Sequence, residues 1–204
     1  MKPILVLIAQ AHGSDTPGKY SPDKRLLEYR WSREICSKLS EALSHLQFDS
    51  IIINPEEKEI SLSEQARRVN EIYDREIKNY NSIVLVSPHV NASVGSGWSA
   101  ASGWMCFVYT KASKNSCTLA RCLADRAYDK YHLEGNRYIP EDRFFRANFA
   151  ILRQTKCPAI LTENMFQTNK DDVDFLLSET GKNTIVNIHV CGIISYLQKM
   201  MIKK

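Results

Sequence analysis

The chain has 204 residues, which at roughly 150 per domain leaves little room beyond one folded module. A chain of this length buries about 70% of the surface its unfolded form exposes, so it needs no disulfide or structural metal to hold a core, and any metal site would be functional. A 25% charged share with a net charge of +4 excludes a disordered polyelectrolyte, and with basic residues nowhere clustered beyond adjacent pairs it does not indicate a nucleic-acid partner.

The first apolar run, Ile4 to Ala9, is continuous, as in a strand buried on both faces. It leads into Gln10-Ala11-His12-Gly13 without a small-residue cleavage site, so a strand is expected there and no export signal. From about Leu26 to Leu46 the positions Trp31, Ile35, Leu39, Leu43 and Leu46 recur at helical spacing and predict one buried helix face. Ser50 to Ile53 reads as a second strand. Leu62, Ala66, Val69, Tyr73 and Ile77 predict a second helix, with Ser61 and Glu64 spaced as a capping box. Ser82 to Ser87 and Trp104 to Tyr109 read as strands, Cys117 to Tyr131 as a helix, and Phe149 to Leu152 and Ala159 to Leu161 as short strands. The last helix, about Asn183 to Lys199, turns Ile185, Ile188, Gly192, Ile193 and Tyr196 inward. Alternating elements of this kind predict a single three-layer α/β domain over 1–204, a mostly parallel sheet flanked by helices. No run approaches the ~18 apolar residues of a membrane span, and six cysteines without a C-x-x-C pair read as reduced core thiols.

In open α/β sheets ligands bind beyond the carboxyl ends of the strands, so the polar residues following each apolar run are the candidates. His12 follows the first strand, His89 the third, and Glu163 the run Ala159 to Thr162. Glu28 lies three residues before Trp31 and seven before Ile35, on the inward stripe of its helix, where a carboxylate is costly unless paired or metal-bound. Two imidazoles and a carboxylate form a common catalytic zinc set with an open fourth position, which leaves Glu163 as a spare carboxylate. Each residue alone has a plainer role: a hydrogen-bonded loop histidine for His12 and His89, a favourable macrodipole for Glu28, a helix cap for Glu163. Five of eight glycines (Gly13, Gly18, Gly95, Gly97, Gly103) follow the two histidines, where loops bend tightly. His45, His132 and His189 fall on helical stretches and read as structural.

With these motifs in hand, the chain resembles the zinc-dependent N-acetylmuramoyl-L-alanine amidases of the cell-wall type, bacterial autolysins and phage endolysins. The likeness runs through Ala11-His12-Gly13 with Pro17-Gly18, Glu28 heading a helix, Ser61-Leu62 with Arg67 to Asn70, and Ser87-Pro88-His89-Val90-Asn91-Ala92. It closes with Ile151-Leu152-Arg153, Pro158 to Glu163, Phe166, Asn169 and Gly192-Ile193. Ala11-His12-Gly13-Ser14 in place of Gly-His-Gly-Gly, and Pro88 beside the histidine, are departures that remove no ligand.

The resemblance implies that His12, Glu28 and His89 bind Zn²⁺. Glu163 would then act as general base and acid while a zinc-bound water attacks the amide between N-acetylmuramic acid and L-alanine. Asn91 and Arg146 are expected to orient the amide and the stem-peptide carboxylate, with a core-edge salt bridge the other reading for Arg146. Trp98 and Trp104 either line the groove or pack its loop. The resemblance further implies a peptidoglycan substrate (glycan strand and stem peptide) and action at the cell wall, periplasmic or extracellular. Expected alongside are no separate wall-binding module, no membrane insertion, a monomer, and exit by phage-type release or with a leader removed. Two rivals keep part of this picture: a zinc carboxypeptidase on a related scaffold, and a peptidoglycan-binding protein without catalysis.

Overall fold

The computed structural model of the chain describes residues 2–95 and 97–202. Ser96, inside the predicted groove loop, lies outside the described residues. Among the described residues six strands form one sheet in the order β2-β1-β3-β6-β4-β5, where β1 is Leu5–Ile8, β2 Asp49–Ile52, β3 Ile83–Asn91, β4 Met105–Tyr109, β5 Phe145–Ala147 and β6 Ala159–Phe166. The first four in that order are mutually parallel, β4 runs antiparallel to β6, and β5 is parallel to β4. The expected α/β class with a mostly parallel sheet is what forms.

Alternation along each strand explains the continuous apolar runs, because both faces of the sheet are covered. Val6, Ile8, Val84, Val86 and Ile160 face a core shared with α1 (Glu28–His45), α3 (Lys114–Asp125) and α6 (Glu179–Met201). Leu5, Leu7, Leu85, Ala159 and Leu161 face a smaller core shared with α2 (Leu62–Glu76) and α4 (Ala150–Arg153). The eight-residue α5 (Lys170–Leu177) closes the first layer, where Leu176 O accepts a hydrogen bond from Trp31 Nε1 at 3.0 Å.

The structure corrects several expectations. Phe149 to Leu152 belongs to helix α4 and its cap, since a four-residue apolar run carries no period that separates strand from helix. β6 continues five residues past Leu161, because Thr162 and Asn164 find hydrogen-bond partners inside and so need not end the strand. Strand β5 and helix α5 carried no recognised signal. The long helix α6 starts at Glu179, where Ser178 Oγ accepts from Gly181 N, and the third helix starts at Lys114 and ends in a π-turn over Arg126–Lys130. Leu46 follows the end of α1 and is exposed rather than inward. The predicted capping box is half formed: Ser61 Oγ accepts from Glu64 N, while the Glu64 carboxylate pairs with Arg67 and Arg68.

Gly192 sets the spacing of α6 against α3. A Cβ there would come within 2.6 Å of Leu123 Cγ and 2.9 Å of Leu123 Cα. Gly192→Val is therefore expected to destabilise the chain by about 1–3 kcal/mol through overpacking, and a urea midpoint unchanged from wild type would contradict this.

Candidate active site

Strand β1 delivers the first candidate. Beyond it the chain is pinned by Gln10 N donating to Asn54 Oδ1 and Ala11 N donating to Ser32 Oγ, both at 2.8 Å, and it turns sharply at His12, whose φ is 52°. A left-handed non-glycine residue persists only where its surroundings hold it, and here Arg33 Nη1 donates to His12 O at 2.9 Å. Ser32 also donates to Pro88 O at 2.8 Å, tying α1 to β3 next to the second histidine. Beyond Val86 strand β3 no longer pairs with β1, which is where a proline can be accommodated.

Glu28 opens α1 and is 1% exposed. Its Oε1 lies 3.2 Å from His89 Nδ1 and 3.7 Å from His12 Nε2, and accepts a hydrogen bond from Val90 N at 3.0 Å. The ligand atoms of His12, Glu28 and His89 all lie within 4.8 Å of one another, and Glu28 Oε2 is buried without a hydrogen-bond partner among the described residues. Two imidazole nitrogens, one carboxylate and an orphaned buried oxygen match the donor set zinc takes, so these residues fit the ion.

Glu163 stands across from His89 in the β3/β6 register. Between His89/Asn91 and Glu163/Phe166 the β6 strand carries one extra residue, a bulge at which Met165 adopts a φ of 65°. Such bulges re-aim side chains near sites. Glu163 Oε2 is likewise buried and unpartnered.

The charges respond to this crowding. Burial pushes the Glu163 carboxyl up to about 7, with Glu28 adding to the rise and His89 and Lys19 opposing it. Burial also acts to raise Glu28, but the His89 hydrogen bond and the charges of His89 and His12 overcome it and hold Glu28 below the usual carboxylate range. His12 is lowered, chiefly by burial. For His89 burial acts downward, but the hydrogen bond and charge of Glu28 outweigh it and raise the imidazole.

A cleft of about 230 Å³ opens over these groups, with Gln10, Lys19, Glu59, Leu62 and Phe149 on its walls. Lys19, Glu59 and Phe149 were not singled out in the sequence, since loop residues carry no period that reports which way they face. The structure does not bring Asn91 or Arg146 to the cleft walls. Asn91 Nδ2 contacts Met105 Sδ at 3.4 Å and its Oδ1 accepts from Ala92 N, while Arg146 on β5 lies over the Phe144 ring and 3.7 Å from Asp142. Trp104 is buried and donates to Asn164 Oδ1 at 2.8 Å, which makes it part of the scaffold. Trp98 is half-exposed on its loop.

Of the other histidines, His189 is buried in α6 with Thr162 Oγ1 3.0 Å from Nε2 and Ile185 O 2.8 Å from Nδ1. His45 ends α1 in solvent, 3.8 Å from Glu41, and His132 occupies a left-handed turn rather than a helix.

A family model described as N-acetylmuramoyl-L-alanine amidase matches residues 6–195. An endolysin of Bacillus phage SPP1 is 30% identical over 153 aligned positions, a match that covers 72% of this chain and 53% of the phage protein. The chain thus spans about half the length of that curated relative. The crystal structure of N-acetylmuramoyl-L-alanine amidase from Clostridium difficile 630 is similar with a TM-score of 0.82 at 25% identity, covering 97% of this chain and 98% of that one. The amidase AmiC2 of Nostoc punctiforme gives a TM-score of 0.76 at 24% identity over 96% and 97% of the two chains, a likeness of fold. Since the family match runs from β1 into α6 and takes in the His12, Glu28 and His89 cluster, the chain belongs to the N-acetylmuramoyl-L-alanine amidase family.

Proposed function

We propose that the chain hydrolyses the amide between N-acetylmuramic acid and L-alanine in peptidoglycan, at the cell wall, with His12, Glu28 and His89 holding Zn²⁺ and Glu163 moving the proton. The observation that carries this reading is the convergence of three ligand atoms within 4.8 Å beside a further carboxylate, Glu163, in register with His89. An amide is inert at neutral pH, so both the nucleophile and the leaving nitrogen need help. Zinc held by these residues would lower the pKa of a water toward ~7 and polarise the scissile carbonyl.

Glu163, with a carboxyl raised by burial to about 7, is suited to exchanging a proton in both directions near neutrality. It would accept one from the attacking water and return one to the departing L-alanine nitrogen. Glu28, with its charge held by the two imidazoles, stays ionised as a ligand. Lys19, the cationic residue among those lining the cleft, suits an anionic stem peptide.

Mass spectrometry of purified peptidoglycan digested with and without a chelator tests substrate, bond and metal together. Intact stem peptides beginning with L-alanine, absent after chelation, are the expected products. Products carrying new ends elsewhere in the peptide, or full activity in chelator, would overturn the reading.

A further inference from the structure

We infer that Glu59 is a positioning residue for His12: its carboxylate, strapped beside Nδ1, keeps that end of the ring the protonated one when Nε2, on the Glu28 side, takes a metal. This role rests on the metal reading above and adds to it a residue outside the ligand set. The Glu59 Oε2 atom lies 3.5 Å from His12 Nδ1, while the other ring nitrogen, Nε2, is 3.7 Å from Glu28 Oε1. A carboxylate therefore stands at each end of the ring. A histidine that gives one nitrogen to a metal carries its proton on the other, and a carboxylate beside that N–H fixes the ring and raises the basicity of the ligating nitrogen.

The loop that carries Glu59 is strapped to the turn that carries His12. Glu59 Oε2 accepts from Gly13 N at 2.8 Å and from Thr16 Oγ1 at 2.7 Å, Glu59 N donates to Asp15 Oδ1 at 2.8 Å, and Ser14 N donates to Glu57 O at 2.8 Å. Gln65 Nε2 holds the second carboxylate oxygen at 3.4 Å. The approach is close enough that a Cβ on Gly13 would sit 1.9 Å from Glu59 N, so this position must be glycine. His12 itself keeps a left-handed φ of 52°, and these contacts offset its cost. An amide oxygen could serve Gly13 N and Thr16 equally well. What only a carboxylate supplies at this place is negative charge beside Nδ1.

The test compares the wild-type chain with Glu59→Gln and Glu59→Asp by two readouts: zinc affinity, from competition with a chromogenic chelator, and the ring nitrogen that carries the His12 proton in the zinc-loaded protein, from long-range proton–nitrogen correlation NMR. Glu59→Gln is expected to weaken zinc binding roughly 10- to 100-fold, and the zinc-loaded wild type to carry the His12 proton on Nδ1. Glu59→Asp, which keeps the charge, is expected to lie nearer wild type in affinity. Equal zinc affinity in wild type and Glu59→Gln would overturn the role of Glu59 while leaving the metal reading intact. A zinc-loaded wild type in which His12 carries its proton on Nε2 and binds through Nδ1 would do the same without any variant. A wild-type chain that takes up no zinc would overturn the metal reading itself, and the role of Glu59 with it.

Discussion

Glu163→Gln is expected to retain zinc at the wild-type level while cell-wall hydrolysis falls on the order of 10² to 10⁴, the range for loss of one general acid/base group. The two effects separate because Glu163 is not among the three groups whose ligand atoms converge; it stands on the neighbouring strand, opposite His89. Glutamine preserves the shape of a side chain that is buried with one oxygen unpartnered among the described residues, so the fold is retained while the group proposed to take and return the proton is removed. The check is release of free amino groups from purified wall, read together with metal content. Wall digestion at the wild-type rate by a zinc-loaded Glu163→Gln chain would exclude Glu163 as the base.

The second large effect is on stability in acid, and it comes from a residue of α6 that packs against Thr162 of the same strand. His189 is fully buried, and burial lowers its imidazole to about 4, against ~6.5 in an unfolded chain. With the folded value depressed, the unfolded state binds the extra proton first. The associated stability is present above about pH 6.5 and is lost as pH falls from there toward 4, up to about 3 kcal/mol. Glu163 acts with the opposite sign: its raised folded value favours the native state in acid, and that contribution is lost as pH rises through about 7.

The pH profile of the whole chain is therefore a difference of terms, and a variant is needed to isolate one of them. Between pH 7.5 and pH 5, wild type should lose on the order of 2 kcal/mol more in urea unfolding than His189→Gln does. Parallel pH profiles for the two chains would rule out His189 as the source.

His189 matters beyond its own titration because of the hydrogen bonds that continue from it. Its Nδ1 proton goes to Ile185 O, so Nε2 accepts from Thr162, Thr162 Oγ1 accepts from Asn164, and the Asn164 amide also donates to His89 O at 2.8 Å. Trp104 completes the set by donating to Asn164 Oδ1. The side chains of this hydrogen-bonded series satisfy one another, and the series ends on the backbone of a metal-ligand candidate. Protonating His189 removes the acceptor that Thr162 uses, which is why acid should loosen the β3–β6 contact as well as the helix layer.

The four central residues were legible in the sequence because two simple periodicities reach them. A run of apolar residues ending in His12, His89 or Glu163 marks a strand end, and Glu28 falls on the stripe that Trp31 and Ile35 define. The walls of the cleft were not legible. Phe149 belonged to a run too short to reveal its period, and Lys19 and Glu59 sit on loops, where chain direction follows from turn geometry rather than from a repeat. Asn91 and Arg146 show the converse: residues of the right chemistry near the right motifs whose side chains meet Met105 in one case and Phe144 and Asp142 in the other.

By itself the sequence determined the α/β class, both faces of the sheet as buried, and the residue types that gather at the candidate site. These depend on the pattern within single elements, and burial of apolar surface enforces that pattern wherever the elements end up. Only the tertiary structure decided that His89 meets Glu163 in register, that a bulge in β6 follows them, that β4 runs antiparallel, and that Glu59 stands behind His12. Those are distances between side chains remote along the chain, 46 residues apart for Gly13 and Glu59, and they are set by how whole layers and loops pack against one another.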